Sequence, residues 1–198
     1  RSGNGEARRA AAASTYALGA AAVKNVFFIG GTMGAGKTAV CQVLKKRLDR
    51  SVFLDGDWCW DMEPFQVTEE TKALALDNVC YLLGNFIRCS AYENVIFCWV
   101  MHRQEIIDSI LARLDTSGCR LNIFSLVCGE EALRRRLEGD IRAGKRAPDI
   151  IERSLEYLPL YERLDTLKID VSELTPEKAA ELIVQMSGEN LPRQFNIQ

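Results

Sequence analysis

The 198-residue sequence has one histidine, His102, and none of its seven cysteines stands three positions from another. Without a C-x-x-C pair or a second histidine, a zinc site has no ligand set. The odd cysteine count, with several thiols inside apolar runs, fits reduced core cysteines in a cytoplasmic protein. Nowhere do about 18 apolar residues run together, so the sequence offers no membrane span. Neither sign of charge dominates: 25 Lys plus Arg against 27 Asp plus Glu leave a formal charge of -2. That balance excludes a strongly cationic nucleic-acid binder. A hydrophobic share of 47% is ordinary for a folded domain, and the length suits one domain.

Residues 1–24 differ from the rest. Arg1–Arg9 is rich in Gly and Arg, and Ala10–Val23 is an alanine run broken by Ser, Thr, Tyr and Gly. The run is too weakly apolar for a secretory signal, and it lacks the interspersed Arg and Ser of an organellar leader. Residues 1–24 are therefore expected to be a tail, disordered or left over from expression, and 188–198 a second tail. Residues 25–187 are expected to form the working domain.

Within that domain short apolar runs alternate with helical patterns. Val26–Ile29, Val52–Leu54, Val95–Met101, Leu121–Val127 and Leu167–Val171 read as strands buried on both faces. Lys37–Asp49, Thr68–Cys89, Arg103–Leu114, Glu130–Glu138, Ile150–Leu164 and Pro176–Met186 read as helices. Strand alternating with helix implies an α/β fold with a parallel sheet covered on both faces. Thr175 and Asp149 are expected to cap helices, and Pro159 to kink or split the one it interrupts.

Gly31, Thr32, Met33, Gly34, Ala35, Gly36, Lys37 and Thr38 match G-x-x-x-x-G-K-[ST], and Ala39 follows them. The motif leaves a strand and opens a helix, the context a phosphate-binding loop needs. Its glycines turn backbone amides toward one point, where they and the helix N-terminus form an anion site. Lys37 supplies a cation for the β- and γ-phosphates, and the Thr38 hydroxyl a ligand for Mg²⁺. The base-reading N-K-x-D of GTPases is missing. So is a carboxylate at the end of the third strand, where large ATPases carry one: that run ends in His102.

Asp55 and Asp57 follow the second strand two residues apart. If the chain is still extended, both face one side at the carboxyl edge of the sheet, where α/β proteins bind ligands. One carboxylate can order Mg²⁺, and the other can take the proton of an attacking hydroxyl. Asp55 is assigned to the metal and Asp57 to the base or substrate anchor. The competing reading is a solvated Asp-Gly turn.

The phosphate loop together with Asp55-Gly56-Asp57 resembles the small P-loop kinases, a group that includes shikimate, gluconate and adenylylsulfate kinases and chloramphenicol phosphotransferase. The resemblance covers about residues 25–187. It implies a five-stranded parallel sheet of order 2-3-1-4-5 with helices on both faces, and a lid after the fourth strand. It also implies ATP and Mg²⁺ as cofactors. The lid is expected at about 139–148, between Gly139 and Gly144-Lys145-Arg146. The resemblance gives a lid arginine, Arg142 or Arg146, the charge on the transferring phosphoryl group, and gives Arg136 a place on the adenine. Pro176 and the loop before it are similar to the group's adenine-contacting loop. A solvated charged helix and a plain capped turn are the competing readings.

On the acceptor side Trp58, Trp60 and Phe65 follow Asp57, and Trp99, His102 and Arg103 close the third run. Aromatic rings there can stack on a planar or sugar-like acceptor, or simply anchor the following helix. The expected protein is a cytoplasmic, monomeric or homodimeric phosphotransferase acting on a small-molecule hydroxyl, with no nucleic-acid or membrane partner. A nucleoside or nucleotide kinase and an ATP-binding regulatory module are the alternatives.

Overall fold

The computed structural model describes residues 23–188. The tails expected at 1–24 and 188–198 lie outside them, apart from their inner ends. The described chain runs β1 (Lys24–Gly31), α1 (Lys37–Arg47), β2 (Ser51–Asp55), α2 (Glu69–Arg88), β3 (Asn94–Cys98), α3 (Gln104–Leu111), β4 (Cys119–Val127), α4 (Glu130–Arg142), α5 (Ile150–Tyr157), β5 (Leu167–Asp170) and α6 (Pro176–Gly188). All neighbouring strands pair parallel, in the order β2-β3-β1-β4-β5. This is the α/β sheet the resemblance implied.

The two-residue period of the strands divides the core. Phe27, Ile29, Phe53, Ile96 and Phe124 face α1, α4 and α6, where Leu44, Leu133 and Ile183 meet them. Val26, Phe28, Leu54, Val95 and Phe97 face α2 and α3, against Val79, Leu83 and Ile107. Burying each such side chain is worth about 1.5–3 kcal/mol. With both faces covered, the carboxyl ends of the strands are left to carry the site.

Two expectations change and a third holds. The third strand stops at Cys98 rather than Met101, because β2 ends opposite it: Asp55 pairs with Cys98. The Trp99 N–H still donates to the Ile29 carbonyl, but Trp99 to His102 form a loop. Asp149 does not cap α5, since its backbone is already helical and its side chain makes no capping bond. Pro159 does split the expected helix, the chain continuing as a 3-10 segment over Leu158–Arg163.

The first strand begins one residue inside the expected tail, at Lys24, for an identifiable reason. The Lys24 ammonium donates to the carbonyls of Phe86 (3.3 Å), Ile87 (2.6 Å) and Cys89 (2.7 Å). These lie at the C-terminus of α2, where carbonyls lack helical partners and the helix dipole favours a cation. Lys24→Met is expected to destabilise the fold by about 1–3 kcal/mol, the range for hydrogen bonds from a charged donor. A urea midpoint unchanged from the parent would contradict this.

Candidate active site

The phosphate loop joins β1 to α1. Its backbone takes positive φ at Gly34 (82°) and Gly36 (92°). At Gly34 a side chain is excluded twice, since a Cβ would lie 2.6 Å from Leu137 Cδ2. Gly36 faces open space. The Thr32 side chain does not face a ligand: fully buried, its hydroxyl donates to the Ser154 carbonyl (2.8 Å) and ties the loop to α5. Tyr161 adds a second tie. Its ring packs against Gly30, and its hydroxyl sits beside the Gly31 backbone, short of a full hydrogen bond.

Lys37 opens α1 and donates to the carbonyls of Gly31 (2.9 Å) and Thr32 (3.1 Å). Burial lowers its pKa, while the carboxylates of Asp57 and Asp55 act to hold the charge. Next to it the Thr38 hydroxyl donates to Asp55 Oδ2 (2.7 Å). Asp55 is buried, 5% exposed, and its other oxygen accepts from the Asp57 N–H (3.2 Å).

That second bond corrects the expectation of an extended Asp55-Gly56-Asp57. Asp55 caps a 3-10 turn over Gly56–Cys59, so the two carboxylates leave different points of a bend. Asp57 turns into a cleft of about 180 Å³ that Lys37, Thr38, Asp140 and Arg146 also line. Burial and the Asp55 charge push its carboxyl up, while Lys37, Arg146 and the Trp99 indole pull it down. A carboxylate raised in this way is a stronger base.

Of the two arginines expected on a lid, Arg146 reaches the cleft and bonds Asp140 (3.3 Å). Arg142 is the exposed last residue of α4 and is not among the residues lining it. The sequence reading missed Asp140, whose signal was an acid six residues before a basic lid residue.

The Arg136 guanidinium donates to the carbonyls of Val171 and Ser172, in the loop that leads to Pro176 at the start of α6. Arg136 thus orders the start of the loop that leads to Pro176. A larger cavity of about 430 Å³ lies elsewhere, between Cys128–Glu130 and the segment Leu155–Glu162. It has two glutamates and no cation in its lining, which argues against phosphate binding there.

The aromatic residues separate. Trp60 packs against Trp99 (ring centroids 6.2 Å apart) and Phe65 (6.0 Å). Trp58 does not join them. Its ring lies edge-on to Phe53, which faces α1, because the 3-10 turn, at about 120° per residue, points Trp58 and Trp60 in different directions. His102 stacks flat on Tyr157, with centroids 4.1 Å apart, and burial lowers its pKa, so the ring is held neutral. Arg103 is exposed at the start of α3.

For Mg²⁺, the Thr38 hydroxyl and Asp55 carboxylate form a pair of hard oxygen donors at the mouth of the phosphate loop. That set suits an ion that takes one or two protein oxygens and completes its shell with phosphate and water.

Strand order, loop and edge carboxylates together define a P-loop nucleotide-binding protein with the topology of the small kinases. Residues 28–156, more than half of the chain, match the family model described as an AAA domain, and the chain belongs to that family. Among solved structures it is similar to a gluconokinase from Sinorhizobium meliloti 1021, at 18% identity over 83% of this chain and 94% of that one, with a TM-score of 0.60. It is also similar to the tunicamycin resistance protein of Deinococcus radiodurans, at 19% identity, 83% and 96% coverage and a TM-score of 0.59. Shikimate kinase from Aquifex aeolicus vf5 matches at 17% identity, 81% and 94% coverage and a TM-score of 0.55. At these identities the likeness is one of fold, and it agrees with the fold implied by the sequence. No curated protein matches the chain.

The position of Asp57 depends on Gly56. A Cβ there would fall 2.7 Å from Cδ1 and 2.8 Å from Cδ2 of Trp99, inside the ring's van der Waals shell. Gly56→Ala is therefore expected to cost about 1–3 kcal/mol, as overpacking does. A thermal midpoint equal to the parent's would show that the indole is not held against this backbone.

Proposed function

We propose that the protein is a small-molecule kinase that transfers the γ-phosphoryl group of ATP to a hydroxyl acceptor. The observation that carries this reading is the convergence of Lys37, Thr38 bonded to Asp55, Asp57 and Arg146 around one cleft. A protein that only bound the nucleotide would need no second carboxylate facing the cleft beside the phosphate loop.

The residues divide the work. Loop amides from Gly31 to Thr38, with Ala39 behind them, hold the phosphates at the N-terminus of α1. Lys37 leaves the Gly31 and Thr32 carbonyls and neutralises the β- and γ-oxygens. Thr38 and Asp55 would hold Mg²⁺, which would supply positive charge to offset that of the phosphates. Asp57 accepts the proton of the acceptor hydroxyl as oxygen attacks phosphorus. Residues 139–148 form the lid, which excludes water and brings Arg146 from Asp140 onto the transferring group. Arg136 and Pro176 shape the adenine end. Trp60, Phe65, Trp99 and His102 border the acceptor. Arg142 and Trp58 take no part in this account. The helices among the described residues include none long and apolar enough to cross a membrane, and cytoplasmic ATP and reduced thiols suit the site.

The test is ADP release with Mg-ATP over an acceptor panel. Lys37→Ala is expected to lower turnover by at least about 100-fold, as loss of one transition-state donor does. Asp57→Asn should lower kcat by about 100- to 10,000-fold, the range for general-base catalysis, with ATP affinity retained. Full activity in Asp57→Asn would remove that residue from the mechanism.

A further inference from the structure

The segment that carries Asp57 has a charge pattern of its own. Residues 51–71 contain six carboxylates and no Lys or Arg: Asp55, Asp57, Asp61, Glu63, Glu69 and Glu70. Trp99 to His102, which form the facing loop, contain no charged side chain once His102 is neutral. Between these two stretches stand the half-buried rings of Trp60 and Trp99, with Phe65 closing over Trp60.

The cations nearby are engaged or lie beyond. Arg146 bonds Asp140, and Lys72 pairs with Glu69 at 2.7 Å. Arg103 points to solvent at the start of α3. An anionic acceptor would meet Asp57, and the field of the acidic segment that continues through Asp61 and Glu63, with no guanidinium to receive its charge, and its desolvation would go uncompensated. A neutral or cationic compound meets ring faces that attract CH groups and cations.

We infer that the acceptor is an uncharged or amine-bearing hydroxyl compound with an apolar face, and that carboxylate- and phosphate-bearing compounds are rejected. The inference rests on the kinase reading for the transfer itself. There the acceptor oxygen forms the new bond to the γ-phosphorus, its proton passes to Asp57, and the bond to the bridging oxygen breaks. ADP leaves with that electron pair.

The test uses matched pairs at millimolar concentration: thymidine and its 5′-monophosphate, glucose and gluconate, shikimate methyl ester and shikimate, with glucosamine added. Two readouts are taken on the whole protein, ADP release with Mg-ATP and quenching of tryptophan fluorescence without it. The uncharged or amine-bearing member of a pair is expected to be at least tenfold better in both. The gap should shrink in high salt and in the double variant Asp61→Asn, Glu63→Gln, which spares the cleft. Quenching by uncharged members without ADP release would leave the acceptor class standing and overturn the kinase reading. Preference for an anionic member in either readout, or no response to any compound, would overturn the inference.

Discussion

The hydrogen bond from the Thr38 hydroxyl to Asp55 joins the two halves of the site. Thr38 belongs to the phosphate loop and α1, Asp55 to the end of β2, two positions outward across the sheet. A buried carboxylate must be compensated, and Asp55 has two partners: the hydroxyl on one oxygen and the Asp57 N–H on the other. The first bond brings β2 to the loop, and the second sets the bend that aims Asp57. Removing Asp55 would therefore release the Asp57 bend as well as the Thr38 hydroxyl.

A second set of contacts couples the loop to the lid side. Thr32 reaches Ser154, 122 residues away, and Tyr161 lies beneath Gly30. Tyr157, from the same stretch, stacks on His102 in the loop after β3. The stretch from Ser154 to Tyr161 thus touches both the phosphate loop and the loop after β3.

What was legible in the sequence was what depends on near neighbours. Apolar runs ending in glycine or aspartate marked the strands, because a strand buried on both faces needs no alternation. The phosphate loop declared itself because its geometry demands glycine and lysine at set positions. What escaped was decided by distant partners. The exit of β3 is set by where β2 ends, the bend at Gly56 by the Asp55 cap, and the direction of Trp58 by that bend. Arg142 and Arg146 could not be separated by spacing, since which one reaches the cleft depends on the turn after α4. Thr32 looked like a ligand contact because only the fold reveals Ser154 behind it.

The central claim is that this cleft moves phosphate to an organic hydroxyl rather than to water. A single turnover with ATP labelled in the γ-phosphate, run with the best acceptor and followed by separation of products, tests it most directly. The account predicts that label appears in the acceptor as fast as ADP forms, with little inorganic phosphate. Label recovered only as inorganic phosphate, at a rate indifferent to the acceptor, would contradict it.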